Sequence, residues 1–94
     1  MKKGNDMAEY LGQNPDEVRE LATLFDTKAS DLESVVAAIN SKLNSTTWVG
    51  SDRNRFQNDT WSTIQNNLNQ VAHTLRDAGT AARNNASEQE SASS

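Results

Sequence analysis

The sequence predicts an all-α chain, a helix-turn-helix hairpin. Three observations lead there. Two long stretches carry apolar residues at alternating steps of three and four. Neither stretch contains an internal proline. One short break, Ser45 to Gly50, separates them near the middle of the 94 residues. The expected boundaries are an N-terminal flexible segment over 1–13, helix 1 over about 14–45 and a turn at 46–50. Helix 2 then spans about 51–86, and a flexible C-terminal tail covers 87–94.

The first arm opens on a strong start signal. Asn14 can cap, Pro15 suits the first helical position, and Glu17 lies three residues after the cap. Asp16, Glu17 and Glu20 favour the positive end of the helix dipole. Val18, Leu21, Phe25, Leu32, Val36, Ile39 and Leu43 then form an apolar stripe, with one seven-residue step across Lys28. Leu24 and Val35 widen it, which implies contact with more than one neighbouring helix.

Ser45, Thr46 and Thr47 weaken the helix before the break. Gly50 can take a positive φ and reverse the chain, and Ser51 is the expected cap of the second arm. That arm carries Trp61, Ile64, Leu68, Val71, Leu75, Ala78 and Ala82 in the same rhythm, with Phe56 about one turn before Trp61. The Ser- and Ala-rich end is expected to fray.

Composition narrows the function classes. The net charge is -4, hydrophobic content is 34% and cysteine is absent; mean hydropathy is -0.82. No apolar run reaches transmembrane length, and no disulfide or thiol chemistry is available. The acidic balance disfavours nucleic acid as a partner. Met1 to Gln13 has Lys2 and Lys3 with no apolar stretch behind them, unlike a secretory signal peptide. Met7 offers a second translation start. Two helices alone make a thin core, so a chain this small needs further support. With no cysteine and no metal cluster, dimerisation into a four-helix bundle is the simplest route, with self and non-self pairing both open.

Catalysis finds little support. His73 is the sole histidine and points away from the Leu68, Val71 and Leu75 stripe. With Asp77 it forms an i, i+4 pair, too few ligands for a metal. Asp16 with Glu20 is explained by the helix dipole. There is no Gly-rich phosphate loop. Arg53 and Arg55 stand beside Asp52 and Asp59, which opposes a phosphate patch. The expectation is a non-enzyme with no cofactor and no metal.

With Trp48-Val49-Gly50 at the central turn and Phe56 eight residues after Trp48, nearly the whole chain resembles the WXG100 (ESAT-6-like) family. The resemblance implies a hairpin that dimerises, commonly antiparallel, into a four-helix bundle. It also implies export by a type VII (ESX-like) secretion system without a cleaved signal peptide, from the cytoplasm to the outside. The family's tail motif, Tyr-x-x-x-Asp/Glu, is incomplete here. Asn84-Asn85-Ala86-Ser87-Glu88 keeps the acid and lacks the aromatic, and the only Tyr, Tyr10, lies at the other end. The resemblance makes Trp48 and Gly50 half of a composite export signal, with Asn84 and Glu88 of a paired chain as the partial other half. The chain then leaves either as a homodimer with a relaxed tail motif, the preferred reading, or with a paralogous partner that supplies the full motif.

Each of these residues also has a plain structural reading. Trp48 can staple the hairpin end, Gly50 can serve backbone geometry, and Phe56 and Trp61 can be core or interface aromatics. The competing function is an intracellular helical adaptor or assembly module. Membrane activity is disfavoured by Asn58, Asn66, Asn67 and Asn69 on the second arm and by the acidic balance.

Overall fold

The computed structural model describes residues 12–93, and these form a single α-helical hairpin. The expected segment over 1–13 lies, up to Leu11, outside the described residues, as do Tyr10 and Ser94. Helix α1 spans Pro15–Ser45. The second arm is one continuous helical rod in three parts: α2 (Ser51–Arg55), a π-helical turn (Phe56–Trp61) and α3 (Ser62–Ser93). The hairpin as a whole is itself a rod of 66 × 17 × 16 Å, with a radius of gyration of 20.6 Å. A compact globule of this length would have a radius of roughly 12 Å. Two helices side by side therefore enclose a seam rather than a core.

The start of α1 follows the sequence signal. The Asn14 side chain accepts hydrogen bonds from the backbone N–H groups of Asp16 (3.0 Å) and Glu17 (3.2 Å). Two of the orphan donors at the helix start are thereby satisfied. Pro15 occupies the first turn, where its missing N–H costs nothing.

The seam repeats every seven residues, the period of an antiparallel coiled coil. In α1 the buried positions are Ala22, Ala29, Val36 and Leu43. Half-buried Val18, Phe25 and Leu32 alternate with them. In the second arm Trp61, Ala72, Gly79 and Ala86 are buried, with half-buried Leu68, Leu75 and Ala82 between. The seven-residue step across Lys28 is thus filled by Ala29, which is 0% exposed. Large residues cluster towards the tip, where Val36, Leu43 and Trp61 pack with Phe56 and Leu68. Alanine and glycine line the open end.

Several expected packing residues lie outside this seam. Leu21, Ile39, Ile64 and Val71 are between 40% and 48% exposed, and Leu24 and Val35 are 50% and 45% exposed. All but Ile39 sit to one side of the seam, so the hairpin alone does not cover them; Ile39 continues the Val18, Phe25 and Leu32 series towards the tip.

The other side is closed by a polar ladder. Arg19 pairs with Glu90, Asp26 with Arg83 at 2.6 Å, and Glu33 with Arg76 through hydrogen bonds of 2.6 and 2.9 Å. Each rung moves seven residues along both helices, so the register holds over the whole open end. The next position, Asn40, is uncharged. Its side chain accepts from Trp61 Nε1 at 2.7 Å and donates to Gln65 Oε1 at 2.7 Å. Indole N–H can only donate, which fixes the orientation of the Asn40 amide and then that of Gln65.

The ladder has a pH signature. Hydrogen bonds from Arg76 and Arg19 lower the carboxyls of Glu33 and Glu90 below the ordinary value of 4.5. A carboxylate lowered on folding stabilises the fold at pH values above its unfolded pKa, and that contribution is lost as pH falls through the folded pKa. The melting temperature should therefore fall as pH drops below about 4.5. The double variant Glu33→Gln/Glu90→Gln should start lower at neutral pH and show a shallower acid decline.

Two sequence expectations need correction. Residues 87–93 are helical where a flexible tail was expected. Ala86 is buried in the seam and Glu90 is held by Arg19, so tertiary contacts override the weak local preference of a Ser-rich run. Ser51 does not cap the second arm. It is the first helical residue, and Gly50 holds the cap position, accepting from the Asn54 N–H at 3.1 Å.

Candidate functional site

The hairpin tip is built by the way each arm ends. At the end of α1, Ser45 and Thr46 turn their hydroxyls back onto the Lys42 carbonyl, at 3.1 and 2.6 Å. They satisfy a carbonyl that has no helical partner and compete with continuation of the helix. Thr46 is extended, with φ -85° and ψ 133°, and the chain leaves the helix there. Gly50 then has φ 110° and ψ -172°. That backbone region is open essentially to glycine alone. No Cβ at Gly50 would meet another atom, so the requirement is conformational rather than steric crowding.

The π-helical turn completes the tip. Its signature is a hydrogen bond from Ser62 N–H to Gln57 C=O, a span of five residues. Five residues of ordinary α-helix rotate a side chain by about 140° away from its starting face. In the π turn, Phe56 and Trp61 instead share one side and both reach the Val36 and Leu43 cluster. Trp48 packs on Phe56 with ring centroids 5.2 Å apart and planes tilted by 46°. Trp48 of the turn and Phe56 of the second arm are therefore in direct contact.

Beside this pair lies an open apolar cleft of 370 Å³, lined by Ala38, Ile39, Lys42, Leu43, Thr46, Trp48 and Phe56. Trp48 is 36% exposed and Val49 87%. The cleft offers hydrophobic contact area and a Trp indole N–H that can donate at its rim. It has no nucleophile with a positioned base beside it. His73 and Asp77 form an exposed pair at 3.4 Å on α3, away from the seam. Among the described residues, no three His, Asp or Glu side chains converge to hold a metal ion. Arg55 pairs with Asp52 at 3.4 Å on the helix surface beside the tip. Among the described residues no helix is long and apolar enough to cross a membrane.

Asn84 and Glu88 are exposed positions within α3. They sit towards the open end, far along the 66 Å rod from the tip. Within one chain they do not meet Trp48 or Gly50. Comparison with protein-family models, curated proteins and solved structures yields no match. The tip must therefore be read on its own chemistry.

The frame that holds the tip includes residues that hydrophobic periodicity passes over. The ladder of Arg19, Asp26, Glu33, Arg76, Arg83 and Glu90 shows in the sequence as charges spaced by sevens on both arms, once Ala22 and Ala29 define the heptad. The five-residue step from Phe56 to Trp61 fits neither three nor four, and that misfit is the trace of the π turn.

Proposed function

We propose that this protein is a WXG100-like hairpin exported through a type VII secretion system as a pair of hairpins, acting by protein contact rather than catalysis. The observation that carries the reading is the tip. Trp48 is held over an apolar cleft by Phe56, and the reversal behind it depends on a backbone conformation that only glycine tolerates. A surface tryptophan fixed this way is an anchor for another protein. The pairing half rests on the thin seam and on the exposed Leu21, Leu24, Val35, Ile64 and Val71 along one side of the rod. Stacking a second hairpin there would give an antiparallel four-helix bundle. Trp48 and Gly50 form one half of the export signal, and Asn84 and Glu88 of the paired chain form the other. Because tip and tail lie at opposite ends of one chain, antiparallel pairing is the arrangement that brings them closer.

A second reading is an intracellular helical adaptor that uses the same cleft. It is favoured by Asn84, which stands where the export motif calls for an aromatic.

Export separates the two. In the native host, the tagged chain should appear in the culture supernatant and stay inside when the secretion ATPase is disabled. Truncating a central Trp anchor costs about 2 kcal/mol or more of binding. Export of Trp48→Ala should therefore drop more than about ten-fold while the helix content stays unchanged. A chain that is cytosolic in both strains leaves the adaptor reading.

A further inference from the structure

The positive charges of the rod are paired almost throughout. Among the described residues, Arg19, Lys28, Arg55, Arg76 and Arg83 each meet a carboxylate. Lys42 and Arg53 are the lysine and arginine that do not, and both stand at the tip. The unpaired acids gather at the opposite end, as Glu17, Glu20 and Glu88. Asp59 is the one near the tip, and it answers neither cation. In a chain of net charge -4, the unanswered positive charge is thus confined to the end that carries Trp48.

Both cations border the apolar cleft. Lys42 forms part of its wall, beside Ile39 and Leu43. Arg53 precedes Phe56 by three residues, which sets the two side chains next to one another on the second arm. Arg53 is the one half-buried residue of α2, and its Nε is shut off from water without a hydrogen-bond partner. A guanidinium drawn in this far and left unanswered costs free energy that an incoming carboxylate would recover. The cleft also has room for more than one side chain: its volume is 370 Å³, and an apolar cavity of about 150 Å³ takes up a benzene ring.

We infer that the cleft receives a segment of a different protein, one in which large apolar side chains stand next to aspartate or glutamate. The apolar side chains enter between Ile39, Leu43, Trp48 and Phe56, and the carboxylates meet Lys42 and Arg53. Another copy of this chain lacks that combination, because the exposed residues of its acidic open end are polar, glycine or alanine. A bilayer fits less well. The cleft is concave, and Trp48 is folded onto Phe56 and only 36% exposed. Two cations are also fewer than the about four to eight of a lipid-binding basic cluster. The inference rests on the reading of the tip as a protein anchor and adds the chemistry of what it holds. It does not depend on export.

The test begins with a display library of random dodecapeptides selected on the full chain. The retained peptides should be rich in large apolar residues and in Asp or Glu, and poor in Lys and Arg. The strongest, made synthetically, should move the indole N–H resonance of Trp48. It should leave that of Trp61, which Asn40 holds, in place. The variant Lys42→Glu/Arg53→Glu should weaken this peptide about ten-fold or more, most at low salt. The same peptide with its acids changed to lysine should prefer that variant, which a misfolded tip could not produce. Excess Trp48→Ala chain, which keeps the acidic open end, should not displace the peptide. Retained peptides that reach Trp48 without a preference for acid overturn the charge assignment and leave the anchor reading standing. If no peptide moves Trp48, the anchor reading falls as well. Displacement by the Trp48→Ala chain overturns the foreign partner in favour of another copy. Sedimentation of the chain with phosphatidylserine vesicles, lost in Trp48→Ala, overturns it in favour of an anionic bilayer.

Discussion

Replacing Trp61 with alanine should abolish the cooperative thermal transition of the isolated hairpin. Trp61 is 4% exposed and packs with Val36 and Leu43 where the large residues of the seam cluster. Truncating a buried Trp to Ala costs about 3–5 kcal/mol. The same change removes the donor to Asn40 Oδ1, now at 2.7 Å, and the loss of this part-buried hydrogen bond adds about 1 kcal/mol. Small domains hold only about 5–15 kcal/mol in total, and a rod with so thin a seam belongs at the low end. Trp61→Phe separates the two terms: it keeps most of the packing and loses the hydrogen bond, so its cost should be about 1–2 kcal/mol. Circular dichroism melts of the three proteins give the comparison. A Trp61→Ala variant that melts within about 3 °C of the natural chain would refute the assignment of this residue as the centre of the core.

The second large effect lies at the other end of the seam. A Cβ placed on Gly79 would stand 3.0 Å from Asp26 Oδ1 and 3.1 Å from the Ala22 carbonyl oxygen. The aspartate can swing aside, but the carbonyl belongs to the facing helix and cannot. Gly79→Leu must push α1 and α3 apart where Ala22, Ala29, Ala72 and Ala86 let them lie close. It also crowds the Asp26–Arg83 rung. Overpacking of this kind costs about 1–3 kcal/mol. Gly79→Ala should be nearly neutral, because a gain of about 0.8–1 kcal/mol in helix propensity offsets the tight contact. Urea unfolding of both variants tests the order. Equal stability of the leucine variant and the natural chain would mean that the open end is not closely packed.

These two positions also show what the sequence could and could not disclose. The hairpin itself was legible, because Leu and Val periodicity, the Asn14-Pro15 start and the break before Gly50 agree with one another. Trp61 was legible as a large aromatic on the stripe. Gly79 was not. Hydrophobic periodicity weighs side chains by how apolar they are, so it passes over alanine and glycine, although close helix approach demands them. Leu21, Ile64 and Val71 were legible as residues that pack within the hairpin or against a second one, and Leu24 as widening the stripe, but periodicity does not say which, and the single hairpin leaves them exposed. The helical end over 87–93 was hidden because its contacts are with the other arm: Ala86 is buried in the seam, and Glu90 meets Arg19, 71 residues away. At the tip, Trp48 and Gly50 were legible as turn residues. The cleft beneath Trp48 was not, because it is assembled from α1 and from Phe56 across the turn.

The π turn carries a consequence for how this protein can change. A π turn is an α-helix holding one residue more than its geometry calls for. Loss of that residue would leave Phe56 four positions before Trp61, still on the same side of a plain α-helix. Phe56 would keep its place against Val36 and Leu43, and the heptads of α3 and the ladder would keep their phase. Elsewhere in either arm one residue gained or lost turns the following helix by about 100° and takes the seam out of register. The turn is thus the point on the second arm where the chain can change length by one residue while tip and shaft stay aligned.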